Sequence, residues 1–415
     1  MNAKVFLLFT LLVCYGSFYL CRANLEAAGP LLIAHEGFTK TSFGELSTIA
    51  TFVYAVGKFV MGATGDFLGG RRLLAVAIGG SVVCSLAFGV QHAFVMFVLC
   101  ASVNRFFQSG GWSGLVHVVS RRFEPARHGA VMGVLSTSYE LGNVAALNLS
   151  GLVVHWGWRM LFVVNPLLFA AVGGGALLVL RGGEKEREQK AKAAGEEEPK
   201  LPLSVILPQL ARNGAFWVAL VMSALLTFLR ISFLTWTPTY LYEVSQAAGH
   251  EEVSAAIVKS SIFPASGVVA ALTVGAISDR LGKGRRAPIM VASLAVVVVL
   301  VLVLGHGGVH DATTAAFLIG GVGLFLLGPY SLLAGAVALD IAGKRGTATA
   351  TGIIDGAGYL AGALSGFLLG TVADRAGWSA VFDLVTGAAL LATLVSGAWA
   401  WATVARRSPG SAPAR

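Results

Sequence analysis

From Val5 onward the chain repeats one pattern, an apolar run of about twenty residues followed by a short polar gap. A bilayer core about 30 Å thick is crossed by a helix of about twenty apolar residues, so each run reads as a membrane span. The runs are unbroken rather than alternating every second residue, which argues for helices and against the strands of a membrane barrel. Runs and breakers place spans at roughly 5–34, 42–65, 73–91, 94–120, 129–154, 160–180, 214–241, 253–278, 289–305, 313–340, 347–372 and 379–404. An even number of crossings puts both termini on one side. The first run follows Lys4 like a signal peptide, but no clean cleavage site closes it and Arg22 interrupts it, so a retained span is expected.

Composition agrees with this pattern. Only 12% of residues are charged and 56% are hydrophobic, too few charges to cover a soluble domain of 415 residues. The 52 glycines include many small-xxx-small spacings that let membrane helices approach closely. The formal charge of +9 is concentrated at every second gap: Arg71-Arg72, Arg121-Arg122, Arg280 to Arg286, Lys344-Arg345 and Arg406-Arg407. Basic residues collect in cytoplasmic loops, so these gaps and both termini are expected in the cytoplasm, with the chain in the inner membrane. No basic face interleaved with aromatics exists outside the spans, so nucleic acid is not an expected partner. The four cysteines fall inside spans without paired spacing and read as small apolar residues, so no metal site is expected.

Three echoes divide the chain. GATGDFLGGRR at Gly62–Arg72 returns at Gly275–Arg286, RHGAVMG at Arg127–Gly133 returns at Lys344–Gly352, and GWRMLF at Gly157–Phe162 returns at Gly377–Phe382. A common offset of about 210–220 residues, in the same order, implies a duplicated six-span unit. The expected domains are an N-terminal bundle at 1–180, a charged cytoplasmic linker at 181–213, a C-terminal bundle at 214–404 and a cytoplasmic tail at 405–415. The repeated loop after the second and eighth spans resembles the signature of the major facilitator superfamily. That resemblance implies two pseudo-symmetric six-helix bundles. It also implies that Asp66, Arg71 and Arg72, with Asp279, Arg285 and Arg286, set the conformational equilibrium and touch no substrate.

An ionisable group in hydrocarbon costs several kcal/mol, so each intramembrane charge is a functional candidate. The candidates are Arg22, Glu26, Lys58, Arg105, Glu140, Arg230, Lys259 and Asp355. Arg22 and Arg230 lie 208 positions apart, in the first spans of the two halves, and are expected to face one another over a central cavity. Two planar guanidinium forks suit a phosphate or carboxylate, and their charge does not titrate away. At an effective dielectric of about 20, such charges roughly 8 Å apart repel by about 2 kcal/mol, which a bound anion would relieve. The competing expectation is a private pair, Arg22 with Glu26 one turn on. Glu140, Glu26 and Asp355 are candidate proton carriers. The alternative for Glu140 is a fixed ion pair with Arg105 or Arg22, for Asp355 helix packing or an Arg partner, and for Lys259 a snorkelling position at a helix end.

The surroundings of these charges carry a narrower resemblance. Tyr15–Leu32, Tyr54–Gly62, Phe106–Trp112, Leu229–Leu241, Leu327–Leu333 and Gly352–Gly362 are similar to the organophosphate:phosphate antiporter family. The resemblance implies a phosphate site made by Arg22 and Arg230, with Lys58 nearby and Tyr15, Tyr19, Tyr54 and Tyr359 lining the cavity. The chain departs from that family in the fifth span, where a histidine of the glycerol-phosphate members is replaced within Leu135–Glu140 by a stretch ending in an acid. Arg105 resembles a fourth-span arginine of proton-coupled facilitators and of the anion:cation symporter family, where it is a conformational feature.

The expected function is secondary active transport of a phosphorylated metabolite, glycerol-3-phosphate or a sugar phosphate, exchanged for inorganic phosphate by a monomer. The alternatives are a proton-coupled importer of a carboxylate such as a sugar acid, and a transporter-like sugar-phosphate receptor. No P-loop, zinc-ligand cluster or nucleophile elbow occurs in any loop, so neither catalysis nor a cofactor is expected.

Overall fold

The computed structural model describes residues 3–124, 127–181, 203–250, 252–281, 286–333 and 338–405, and every regular element among them is helical. The first span is α1 (Ala3–Ser17), one 3₁₀ turn at Phe18–Cys21, and α2 (Ala23–His35). There follow α3 (Lys40–Leu68), α4 (Gly70–Gly89), α5 (Phe94–Arg122), α6 (His128–Val153) and α7 (Leu161–Val179). A short helix, α8 (Leu203–Ala211), occupies part of the segment read as linker and buries Ile206 and Leu210. The second half comprises α9 (Gly214–Ala247), α10 (Val253–Ser260), α11 (Ile262–Leu281), α12 (Arg286–His306), α13 (Ala312–Leu332) and α14 (Ala338–Ala405).

Nine stretches among the described residues are long and apolar enough to cross a membrane by length and composition. One of them, Ala350–Trp401, holds two crossings, because Gly377 at φ 78 turns the chain within α14. A β-carbon is strained in that backbone region, which glycine enters freely. The helices α5 and α6 are not among the nine although they have 29 and 26 residues. Asn104, Arg105 and Gln108 dilute the first, and Ser138, Glu140 and Asn143 the second. These two helices complete the twelve crossings, and the polarity that lowers their hydropathy is the chemistry of the site.

Each half packs as its own bundle. In the first, α4 lies on α5 and α7, α3 on α5, and α1 on α6. In the second, α9 and α12 lie on α14, and α11 on α13. The halves meet through α3 on α14, α2 on α9, and α6 on α10 and α11. The outer surface is apolar, with Phe317 and Leu394 each 68% exposed, as a lipid-facing surface requires.

Among the described residues, polar contacts join the bundles at the face opposite the chain ends. There the Asp374 carboxylate accepts from the Lys40 N–H at 3.2 Å and from the N–H and hydroxyl of Thr41 at 2.7 Å. It thereby caps the first turn of α3, whose amides have no partner within their own helix. Lys40 also pairs with Glu243 at 3.0 Å and lies 5.3 Å from the Trp378 ring centroid. Deeper in, Thr48 donates to Ala363 O at 2.6 Å and accepts from Phe367 N–H at 2.8 Å. Gly44 and Gly366 meet backbone to backbone: a β-carbon on Gly44 would lie 2.7 Å from the Gly366 carbonyl carbon.

On the same face, Glu36 joins the loop after α2 to the turn before α7. It accepts from Arg159 Nη1 at 2.7 Å and Trp158 Nε1 at 3.0 Å. The Arg159 hydrogen bond holds the Glu36 carboxyl below its ordinary value, against the opposing effect of burial. A depressed carboxylate stabilises the fold above its unfolded value and loses that contribution as pH falls through the folded one. Glu36→Gln should therefore lower the melting temperature at neutral pH and flatten the acid limb of its profile below about pH 4.5, the variant and the unaltered protein converging at low pH. An acid limb as steep as that of the unaltered protein would contradict this.

Candidate functional site

The first helix is interrupted where the chemistry is needed. The 3₁₀ turn at Phe18–Cys21 ends on Arg22, whose φ −111 and ψ −56 fall outside regular helix geometry. A 3₁₀ stretch within a longer helix is a common mark of a functional break. Arg22 Nε donates to Gln108 Oε1 at 2.9 Å, and Nη1 reaches the Tyr19 hydroxyl at 3.5 Å. Its guanidinium lies 4.4 Å from the Tyr54 ring centroid and 4.9 Å from that of Tyr19. Gln108 is itself fixed, donating to Cys21 O at 2.6 Å and Asn104 Oδ1 at 2.5 Å. No carboxylate among the described residues pairs with Arg22.

Arg230, in the middle of α9, is 4% exposed and its Nη2 donates to Glu140 Oε1 of α6 at 3.1 Å. This ion pair crosses from one half to the other. The rings of Tyr139 and Tyr330 flank the guanidinium, with centroids at 5.4 and 5.1 Å. Arg105 pairs with Glu26 at 2.6 Å inside the first bundle. Lys58 forms an ion pair with Asp355, again across the halves, and lies 4.2 Å from the Tyr359 ring centroid. The Tyr54 and Tyr359 rings, one from each half, pack at 5.0 Å one helical turn nearer the cavity.

One cavity, holding about 660 Å³ of non-atom space partly open to solvent, brings Arg22 and Arg230 together. Tyr19, Tyr54, Tyr359, Glu26 and Arg105 also line it. Tyr15 is not on its wall; it packs on Phe18 and Trp112 at 5.8 and 5.1 Å. Lys58 and Asp355 lie behind the Tyr54 and Tyr359 rings rather than on the wall.

The pairings differ from those expected in three respects. Glu26 does not take Arg22, because Arg22 sits at the helix break and the one-turn rule does not align them; it takes Arg105 instead. Arg105 lines the cavity wall. Glu140 is bound to Arg230, not to Arg105 or Arg22, so the repulsion expected between the two arginines is already reduced by a resident acid. Asp355 finds a lysine rather than an arginine. Lys259 donates to the Thr313 hydroxyl at 2.9 Å at an exposed helix end, away from the cavity.

Among the residues of the repeated loops, Arg71 Nε donates to Leu177 O at 3.1 Å within the first bundle, and Arg72 is exposed. Arg285, and the side chains of Asp66, Asp279 and Arg286, lie outside the described residues. Several residues of the site carry no charge to betray them. Gln108, Asn143, Tyr139 and Tyr330 belong to it, and the signal that could have found Gln108 is its place one turn after Arg105.

Residues 11–365 match the Major Facilitator Superfamily. A Chlamydia muridarum protein named "Probable hexose phosphate transport protein" is 27% identical, the match covering 94% of this chain and 90% of that one. The glycerol-3-phosphate transporter of Bacillus subtilis is 25% identical over 91% of this chain and 88% of its own. The membrane sensor protein UhpC of Salmonella typhimurium is also 25% identical, over 94% and 90%. In fold the chain is similar to the crystal structure of a bacterial homolog of the human lysosomal transporter Spinster, with a TM-score of 0.76 over the whole of both chains at 13% identity. Twelve crossings among the described residues in two joined halves, a shared cationic cavity and a match spanning most of the sequence lead to one conclusion: the chain belongs to the major facilitator superfamily, in the organophosphate transporter family whose motifs it carries.

Proposed function

We propose that this protein exchanges a phosphorylated metabolite, glycerol-3-phosphate or a sugar phosphate, for inorganic phosphate by alternating access across the inner membrane. The observation that carries this reading is that Arg22 and Arg230, from equivalent spans of the two halves, line one cavity, and that Arg22 has no carboxylate partner among the described residues. A cation without a resident acid attracts an anion, and a fork held by Gln108 presents its remaining N–H groups to a phosphoryl oxygen. The hexose phosphate and glycerol-3-phosphate relatives support a phosphate ester over a simple carboxylate. In this reading the face sealed by Asp374 and Lys40 is periplasmic, the termini are cytoplasmic, and a monomer suffices. Rocking of the bundles breaks the contacts at one face as those at the other form.

Proteoliposomes loaded with inorganic phosphate should take up labelled glycerol-3-phosphate or glucose-6-phosphate, and Arg22→Lys should lower the rate at least a hundredfold. A lysine keeps the charge but loses the planar fork, so a variant running at the unaltered rate would remove the basis of the reading. Uptake that ignores internal phosphate but follows a pH gradient would replace phosphate exchange by proton coupling, with Glu140 as its first candidate carrier. The relative that is a membrane sensor protein supports a second reading, a receptor using the same site. Ligand binding to the purified protein without flux in the same vesicles would favour it.

A further inference from the structure

Three of the four cysteines line one pocket inside the first bundle, and transport as described above makes no use of it. The pocket holds about 260 Å³ of non-atom space, partly open to its surroundings. Cys21, Cys84 and Cys100 stand on its wall beside Arg22 and Arg105, which also line the central cavity. These two arginines are thus a wall shared by both spaces. The second bundle has a counterpart lined by Ser232, Phe233, Trp236 and Phe382. Ser232 and Phe233 follow Arg230 as Asn24 and Leu25 follow Arg22, and Phe382 repeats Phe162. All four cysteines lie in the first hundred residues, so the counterpart has no thiol and bundle packing does not require one.

Helix register sets two of the thiols opposite each other. On α4, Cys84 lies three positions after Ser81 and four before Phe88. On α5, Cys100 lies three positions after Phe97 and four before Asn104. Positions three and four apart share a helix face. Those faces meet, since Asn104 donates to Ser81 O at 2.8 Å and the Phe88 and Phe97 ring centroids are 4.9 Å apart. Between these two contacts Cys84 and Cys100 stand at one level, to within a residue's rise of about 1.5 Å. Both are half-buried, whereas Cys14 and Cys21 are buried. Their neighbours Val83 and Leu99 are 64% and 53% exposed on the lipid-facing surface, so a lipid-soluble reagent reaches the pair.

We propose that Cys84 and Cys100 form a paired-thiol site for a lipid-soluble, trivalent organoarsenical, and that filling it weakens anion binding at Arg22. Sulfur ligands favour soft centres, and an organic arsenic(III) oxide takes two of them at once. Two As–S bonds replace the As=O bond, and the oxygen leaves as water with both thiol protons. Arsenic stays trivalent, so the step needs neither oxidant nor reductant. Two hydrogen-bond routes lead from the pair to Arg22. Asn24, two positions after Arg22, donates at 2.9 Å to the hydroxyl of Ser85, which adjoins Cys84. Asn104, one turn after Cys100, accepts from Gln108, and Gln108 holds Arg22 Nε. An aryl group wedged between α4 and α5 pushes on both routes. Coupling of this kind is reciprocal, so an anion at Arg22 weakens capture by the same factor. The effect at Arg22 rests on the anion site proposed above; capture by the thiols does not.

The test treats the full-length protein in lipid nanodiscs with phenylarsine oxide and counts the remaining thiols by maleimide labelling and mass spectrometry. One arsenical should mask two thiols, which dimercaprol restores and mercaptoethanol does not. Cys84→Ala and Cys100→Ala should each lower the affinity for phenylarsine oxide at least tenfold, and Cys21→Ala should leave it unchanged. Masking of a single thiol, undiminished capture in either of the first two variants, or its loss in the third overturns the pair. Labelled inorganic phosphate should bind the arsenical-treated protein at least fivefold more weakly, and saturating phosphate should weaken capture equally. Capture that leaves phosphate affinity unchanged overturns the link to Arg22 and keeps the thiol site. If phosphate does not bind even the untreated protein, the anion reading falls and the link to Arg22 with it, while the thiol count still decides the pair.

Discussion

Arg230→Ala is expected to lower the stability of the transporter by about 3–5 kcal/mol and to abolish exchange, because it leaves the Glu140 carboxylate buried without its cation. Glu140 is 3% exposed and already has one oxygen unmatched, so nothing nearby compensates for the loss. The double variant Arg230→Ala/Glu140→Ala removes both charges and should recover most of the stability, since two absent ions need no pairing. It should recover no transport. Thermal unfolding in detergent measures the first quantity and phosphate counterflow the second. A double variant that melts as low as the single one would mean the Arg230–Glu140 pair is not the origin of the instability. One that transports would mean Arg230 does not hold the substrate. The cycle thus separates what the ion pair does for the fold from what the guanidinium does for the anion.

The second large effect belongs to the sealed face. Gly44→Val should abolish exchange in a protein that still folds, by preventing α3 from closing on α14. The atoms a side chain would meet there are the backbone of Gly366 and Phe367, including the Gly366 carbonyl carbon at 2.7 Å, and backbone cannot rotate aside as a flexible side chain can. Each bundle keeps its own core, because this contact lies between bundles and not within one. The expected state is therefore the one in which this face is open. A cysteine placed at Thr51, on the cavity wall, should react at least tenfold faster with a membrane-impermeant thiol reagent applied from the periplasmic side. Unchanged reactivity together with normal exchange would show that the closure does not depend on this approach. Asp374→Asn offers a milder comparison: it keeps acceptor capacity for the α3 amides but removes the charge that favours a helix N-terminus, an effect of about 0.3–1 kcal/mol.

Much of the site was legible beforehand because charge inside a bilayer is rare and each instance stands out. Arg22, Arg230, Glu26 and Arg105 stood out in this way, and all four line the same cavity. Tyr15 could not be separated from Tyr19 by the same reasoning, since both precede the helix break and differ only in the direction that break gives them. Tyr19 faces the cavity and Tyr15 the aromatic cluster with Phe18 and Trp112. Gln108 and Asn143 escaped notice because a neutral amide in a helix is common, and its importance depends wholly on what it faces.

The sequence by itself determined the number of crossings, the duplication and the placement of one arginine in the first span of each half. These follow from hydrophobic length, repeat offset and the rarity of charge, which are properties of order along the chain. Only the tertiary structure decided which acid neutralises which cation. Glu26 is four positions from Arg22 yet bonds Arg105, and Glu140 reaches Arg230 from ninety positions away. The reason is geometric: a 3₁₀ turn removes Arg22 from the face that helical spacing assigns it, and helix packing, not proximity in the chain, sets the distances over which charges attract.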